Sequence, residues 1–298
     1  MKLHQLRALI QIADSGSIRA AAREMHLSQS ALTKALRELE EEVGAELLLR
    51  SYKGVGFTPA GQALQSRARL AMSMLAKASE EIDLIRGGVG ARISVAVTPL
   101  VAINVLPRVW AEFTQLQPAA ELSLSEGFLT TLIPNLLEGR VDFAVVIADP
   151  AGLPHELSFT PLAKVSALPA GRSGHPLASV RGWAGLQSAT WVMNLSASSH
   201  SATLLAWLRS KGLAVPDRIL RCASPVLMAE LMRRTDIVGY CPKVLLDDPM
   251  FSVGLQSFKV GPLPPPMDLG MLSLRGVPLH SAAKSLATLF VRHLGRSL

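Results

Sequence analysis

Between Ser17 and Glu42 the sequence SIRAAAREMHLSQSALTKALRELEEE leaves few folds open, because caps, small residues and an apolar stripe fall at fixed offsets. Ser17 suits the cap of a short first helix, in which Ala20, Ala21 and Ala22 are small enough for close packing. His26 and Leu27 make a break, and Ser28 suits the cap of a second helix. On that helix Leu32, Leu36 and Leu39 recur at i, i+4 and i+7, one stripe for a core. The opposite face carries Gln29, Ser30, Thr33, Lys34 and Arg37, residue types that hydrogen-bond bases or phosphates. With Ser28 they form the candidate reading face of a helix-turn-helix, whose second helix opens into a DNA major groove. On this stretch alone the alternative is a pair of ordinary surface helices with a solvated polar face.

The flanks favour the first reading. Leu3, Leu6, Leu9, Ile10 and Ala13 predict an amphipathic helix ahead of the motif, completing a three-helix core. After it, Leu47-Leu48-Leu49-Arg50 and Tyr52-Lys53-Gly54-Val55-Gly56-Phe57-Thr58 predict two short strands joined by a tight turn. Such a hairpin is a wing, and Arg50 and Lys53 are its candidates for backbone phosphates, with a solvated turn residue the alternative for Lys53.

From Thr58, a cap with Pro59 at the first helical position, nothing but an early Gly61 interrupts a helix before Arg86. Leu64, Ala68, Ala71, Leu75, Ala78, Ile82 and Ile85 step alternately by four and three, an a/d seam through three heptads that ends at Gly87-Gly88. This seam is the candidate dimerisation surface; a single helix packed on its own domain is the alternative. Beyond Gly87–Gly90 the text changes to apolar strands alternating with helices. Ile93–Thr98, Glu121–Glu126 and Phe143–Ala148 read as strands, with helices over Leu100–Leu116 and Leu129–Gly139. A second set runs from Trp191 to Cys241, and Leu269–Leu274 with Ser281–Leu294 closes the chain. By pattern this is open α/β sheet.

The chain resembles LysR-type transcriptional regulators over its whole length. The resemblance is carried by Leu6, Gly16-Ser17, Ala21-Ala22, Leu27-Ser28-Gln29, Ala31-Leu32, Leu39-Glu40, Gly44, Leu47, Arg50 and Thr58-Pro59-Ala60-Gly61. Leu9 or Leu48 stands where the family usually has Phe, a swap a core of similar volume tolerates. Ser30 stands where the family often has Pro, on the reading face. The resemblance implies a winged helix-turn-helix at 1–58, a linker helix and hinge at 59–90, and an effector-binding α/β domain at 91–298. That domain would have two Rossmann-like lobes, as in periplasmic solute-binding proteins: lobe 1 at about 91–162 and 268–298, lobe 2 at about 163–267. Hinges are expected at Pro161–Val165 and Pro264–Asp268.

Ligands of open α/β sheets bind beyond the carboxyl ends of strands, beside helix N-termini that suit anions. Two places have that arrangement: Thr98 with Leu100 and Val101, and Ser196, Ser198, Ser199 and His200. The resemblance adds Phe128, Val146, Ile147 and Ser224 to the wall of an inter-lobe effector cleft. The alternative for Thr98 and the serines is a simple helix cap, and for His200 a solvated loop residue. The effector expected is a small carboxylate or other anion.

Composition fits without deciding. The net charge is +7, yet residues 1–60 hold eight Lys and Arg against seven Asp and Glu, and residues 91–298 hold 18 against 13. The basic excess therefore lies mostly outside the DNA-reading segment, and local placement carries the DNA reading. Cys222 and Cys241 sit in apolar strand-like text, and buried inert thiols are favoured over a redox switch. The absence of a secretory leader or a spanning apolar run predicts a cytoplasmic, bacterial protein with no membrane partner. No metal spacing, nucleophile elbow or dinucleotide fingerprint points to a metal, a cofactor or an enzyme. The rivals are an enzyme or a stand-alone solute-binding protein built on the α/β lobes. The expected whole is a homodimer or homotetramer on double-stranded promoter DNA, switched by an effector, with RNA polymerase as a further partner.

Overall fold

A computed structural model describes residues 1–51, 54–86 and 90–297. It divides into two units, Met1–Ile82 with Leu137–Arg140, and Asp83–Leu136 with Val141–Leu298. In the first, α1 (Leu3–Ser15), α2 (Ile18–Glu24) and α3 (Gln29–Val43) precede β1 (Leu48–Ser51), β2 (Gly54–Phe57) and the long α4 (Pro59–Ile85). The caps follow the sequence: Ser17 Oγ accepts from the Ala20 amide at 3.0 Å and Ser28 Oγ from that of Ala31 at 3.1 Å. Ala8, Leu9, Ile12, Ala21, Ala22, Leu32, Leu36, Leu39, Leu47 and Leu48 form the core. The buried stripe of α1 runs through Gln5, Ala8, Leu9 and Ile12, so Leu3, expected inside, is exposed. Gln5 is buried because its Oε1 accepts the Lys2 amide at 2.8 Å, closing the open end of the helix.

β1 and β2 pair antiparallel from Leu48↔Phe57 to Ser51↔Gly54, and one Glu40 carboxylate oxygen accepts the amides of Leu47 (2.8 Å) and Leu48 (3.3 Å). The hairpin is thus tied to the end of α3. Thr58 Oγ1 accepts from the Gly61 amide at 3.0 Å and donates to the Glu46 carbonyl at 2.7 Å, capping α4 on the same spot. Gly61, an anomaly in a helical sequence, has a reason: a Cβ there would lie 2.0 Å from the Leu47 carbonyl oxygen. Farther on, Arg69 pairs with Asp14 and holds α4 to α1. Of the heptad seam, Leu64 packs on the three-helix core and Ala68 is buried, whereas Ala71, Leu75, Ala78, Ile82 and Ile85 are exposed.

The second unit holds two five-stranded sheets. The first contains β3 (Arg92–Val97), β4 (Glu121–Glu126), β5 (Phe143–Ala148), β6 (Leu157–Val165) and β12 (Met267–Leu274), in the order β4-β3-β5-β12-β6. β3 is parallel to β4 and β5, and β12 lies antiparallel between β5 and β6. The second contains β7 (Ala167–Arg172), β8 (Thr190–Met193), β9 (Arg218–Arg221), β10 (Val238–Pro242) and β11 (Leu255–Ser257), in the order β11-β7-β10-β8-β9. Its helices are α8 (His200–Ser210), α9 (Pro225–Arg234) and the short α10 (Lys243–Asp247). The first sheet is served by α5 (Pro99–Asn104), α6 (Leu106–Leu116), α7 (Leu129–Leu137) and α11 (Ser281–Ser297). The expected single helix over Leu100–Leu116 is two helices, broken at Val105 two residues before Pro107.

β6 and β12 stay paired through Met267↔Val165, so Ser166 and residues 258–266 carry the chain between the sheets. The expected hinge at Pro161–Val165 therefore falls inside β6, and the other reaches into β12. One apolar core, with Val97, Phe143, Val192, Met232, Cys241 and Leu245 among its members, spans both sheets. A second cluster gathers Trp183, Trp191 and Phe258, with Trp207 packed against it. The indole N–H groups of Trp191 and Trp183 donate to the carbonyls of Leu186 (3.0 Å) and Pro262 (2.7 Å).

Candidate functional site

Helix α3 buries Leu32, Leu36 and Leu39 and turns Ser28, Gln29, Ser30, Lys34 and Arg37 outward, with Thr33 half-buried. Ser28 is already committed to its cap and shares a 2.9 Å hydrogen bond with Ser30 Oγ, which fixes the geometry of the first turn. Lys34 lies 4.0 Å from Glu38 yet stays 80% exposed, an ion pair loose enough to exchange for a phosphate. Arg50 has its backbone in β1 opposite Val55; its side chain and the whole of Lys53 lie outside the described residues. The outward helix face and the adjoining hairpin have the form of a reading helix and wing.

In the second unit the carboxyl ends of β3, β5, β8 and β10 surround a cavity of about 130 Å³. Of the residues expected at an effector site, Thr98, Leu100, Phe128, Ile147, Ser196, Ser199 and His200 line it. Val101 and Val146 are buried in the core instead. Ser198 sits at φ 61° and does not line it, and Ser224 caps α9. The wall also includes residues the sequence did not assign to this site: Asn194 at the end of β8, Met228 and Met232 on α9, Tyr240 and Cys241 on β10, and Phe251.

The wall is mostly apolar, with polar groups gathered where β3 and β8 end. Ser199 Oγ caps α8 by accepting from the Ala202 amide at 3.1 Å and donates to the Asn194 carbonyl at 2.8 Å. The Asn194 side-chain oxygen accepts from the Ser196 amide at 2.9 Å and from Ser196 Oγ at 2.7 Å, so its Nδ2 must be the donor left over. Among the described residues, Thr98 Oγ1, Asn194 Nδ2 and His200 Nε2 are buried without a hydrogen-bond partner. Such groups are costly unless a ligand or water satisfies them. Burial holds His200 down to about 4, a neutral imidazole, and raises Tyr240 and Cys241, the latter to about 12.

The sheet order also settles how the two thiols relate. β8 lies between β9 and β10; Cys222 follows β9, donating its amide to the Met193 carbonyl, and Cys241 stands on β10. Two strand spacings, about 9.6 Å, separate their positions, beyond the ~7 Å between Cα atoms that a disulfide bridges. Among the described residues no cluster of three metal-ligand side chains forms, and no helix is long and apolar enough to cross a membrane.

A winged helix-turn-helix followed by a long helix and a cavity-bearing α/β domain defines a ligand-responsive DNA-binding protein. Residues 3–62 match the bacterial regulatory helix-turn-helix protein, lysR family, and residues 86–295 match the LysR substrate binding domain. The chain belongs to the LysR family: it is a DNA-binding transcriptional regulator with an effector-binding domain, in a family of regulators rather than enzymes. It is 25% identical over 241 residues to the HTH-type transcriptional regulator TdcA of Escherichia coli K12, covering 81% of this chain and 77% of TdcA. A probable hydrogen peroxide-inducible genes activator of Streptomyces viridosporus is 34% identical over 152 residues, 51% of this chain and 48% of that protein. In structure it is similar to full-length CbnR complexed with its target DNA, with a TM-score of 0.66, 19% identity and 100% coverage of both chains. HinK, a LysR family regulator from Pseudomonas aeruginosa, superposes with a TM-score of 0.57 at 19% identity, covering 99% of each chain.

Proposed function

We propose that this regulator works as a homodimer or homotetramer on promoter DNA in the bacterial cytoplasm, reading bases with Gln29, Ser30 and Thr33 and holding phosphates with Lys34, Arg37, Arg50 and Lys53. The exposed half of the α4 seam, Ala71 to Ile85, supports pairing with a second copy, since Leu75, Ile82 and Ile85 are otherwise large apolar side chains left in water. Two paired reading helices would then meet two related half-sites. A small anionic effector occupies the cavity beyond β3 and β8 and biases the oligomer between arrangements with different DNA spacing or bend. It can do so only by binding those arrangements with different affinity. RNA polymerase is the partner through which a promoter-bound regulator of this kind would act.

The observation that carries the effector reading is the coincidence of an apolar cavity with three buried, unsatisfied polar atoms at one end. The DNA-reading face is tested by a genome-wide map of sites bound by the tagged protein, repeated with Gln29→Ala and Lys34→Ala together. Sharp peaks lost in the double variant support the reading, and their neighbouring genes name candidate effectors. Unchanged peaks in the variant would refute the assignment of the reading face.

A further inference from the structure

We propose that the effector anion enters the cavity together with a proton, which His200 Nε2 takes up, so that occupancy of this regulator rises as pH falls. The inference rests on the anionic-effector reading above and adds to it the ligand class and its regulation. The cavity is the size that holds one small ring, since an engineered cavity of about 150 Å³ in another protein takes benzene. Its apolar side, with Phe128, Ile147, Met228, Met232, Leu245 and Phe251, suits a ring or branched chain, and its polar end suits one carboxylate.

That end offers donors but no charged side chain. Asn194 Nδ2 and the Thr98 hydroxyl can donate, and both residues are more than nine-tenths buried. The first-turn amides of α8 add a partial positive charge. No Lys, Arg, Asp or Glu lines the cavity among the described residues. The titratable neighbours of His200 there are Tyr240, edge-on with ring centroids 5.9 Å apart, and Cys241. Both are kept protonated and neutral by burial. Neither α9, which presents Pro225, Met228, Ala229 and Met232, nor the start of α5, with Thr98, Pro99 and Leu100, brings a titratable group.

His200 is therefore the side chain of this wall that can become a cation. Empty, the cavity keeps it neutral, because burial disfavours the charged ring. A carboxylate placed there without a counter-charge would be equally disfavoured. Transfer of one proton from solvent to Nε2 gives the imidazolium a hydrogen bond to the carboxylate and removes both penalties at once. The carboxylate stays ionised, and one proton is consumed per anion bound.

The experiment is calorimetric titration of the full-length protein with benzoate and with 3-methylbutanoate at pH 7, 6 and 5, in two buffers of different ionisation heat, with benzamide as the neutral isostere. The expected result is uptake of about one proton per carboxylate and binding that tightens up to about tenfold per pH unit, with benzamide insensitive to pH. His200→Gln should abolish the uptake. In the wild type, ¹⁵N resonances of the histidine rings should show one imidazole becoming protonated on addition of benzoate at pH 6. Binding without proton uptake, or uptake that persists in His200→Gln, overturns the proposal while leaving the anionic effector standing. No binding of either carboxylate removes the anionic-effector reading, and the proton linkage with it.

Discussion

Replacing Gly61 with alanine should destabilise the N-terminal unit, against the usual rule for helices. In an exposed helix interior the change from glycine to alanine ordinarily stabilises by about 1 kcal/mol. Here the added Cβ would sit 2.0 Å from the Leu47 carbonyl oxygen and 2.9 Å from the carbonyl carbon. Carbon–oxygen contacts settle near ~3.3 Å, so α4 and the segment leading into β1 must part by ~1.3 Å. Neither side can yield cheaply, because Thr58 ties both together through Glu46 and the Gly61 amide itself. Overpacking of this sort costs about 3 kcal/mol at its upper end, which against the propensity gain leaves a net loss of about 2 kcal/mol. For a unit of this size that is a fall of roughly 10 °C in midpoint.

All four tryptophans, Trp110, Trp183, Trp191 and Trp207, belong to the C-terminal unit. Far-UV circular dichroism of Gly61→Ala should therefore gain an early transition that tryptophan fluorescence does not follow. Gly295→Ala, in α11 with nothing within 4 Å of its added Cβ, is the control and should be neutral or slightly stabilising. A Gly61→Ala protein that melts at or above the wild-type midpoint would show that the close approach to Leu47 does not matter.

Four further outcomes are expected. Lys34→Ala should weaken DNA binding about equally on all sequences and lower the salt dependence by about one phosphate contact, measured by fluorescence anisotropy at several salt concentrations. Gln29→Ala should instead blur discrimination at one base pair by about 1–3 kcal/mol, and equal losses on specific and random DNA would contradict a base-reading role. Ile82→Asp, placing a charge in the exposed part of the α4 seam, should lower the oligomeric mass seen by sedimentation without changing the circular dichroism. His200 also makes stability depend on pH. Its folded value near 4 lies below the unfolded ~6.5, so stability is undiminished above pH 6.5 and drops by about 3 kcal/mol as pH falls to 4. Denaturant titrations of wild type and His200→Gln across that window check this, and parallel curves would refute it.

What the sequence revealed was what is local. Caps at Ser17, Ser28 and Thr58 act within three residues of themselves, and the Leu32–Leu36–Leu39 stripe needs only helical periodicity. Strands with unbroken apolar runs, such as Phe143–Ile147, were equally plain. β6 and β7 escaped because Pro161, Pro169 and Gly171 interrupt their patterns. Pro161 is tolerated because β6 is an edge strand and the proline stands at the register shift opposite Gly270. The cavity divided the same way. Thr98, Ser199 and His200 stood out as helix starts after strands, whereas Asn194, Tyr240 and Met228 have no local mark. They meet only because β10 lies beside β8 and α9 covers them, and no neighbour in sequence announces that.

The place of β12 has a consequence for how this chain is made. It fills the slot between β5 and β6, yet lies about 120 residues beyond β5 in the chain, so the first sheet stays split until that whole stretch has been made. Throughout that interval β5 presents an unpaired, wholly apolar edge, the kind of surface that recruits stray strands. A nascent chain stalled anywhere between β6 and β12 is thus a sticky half-domain, and chaperone protection should matter most while this stretch is translated.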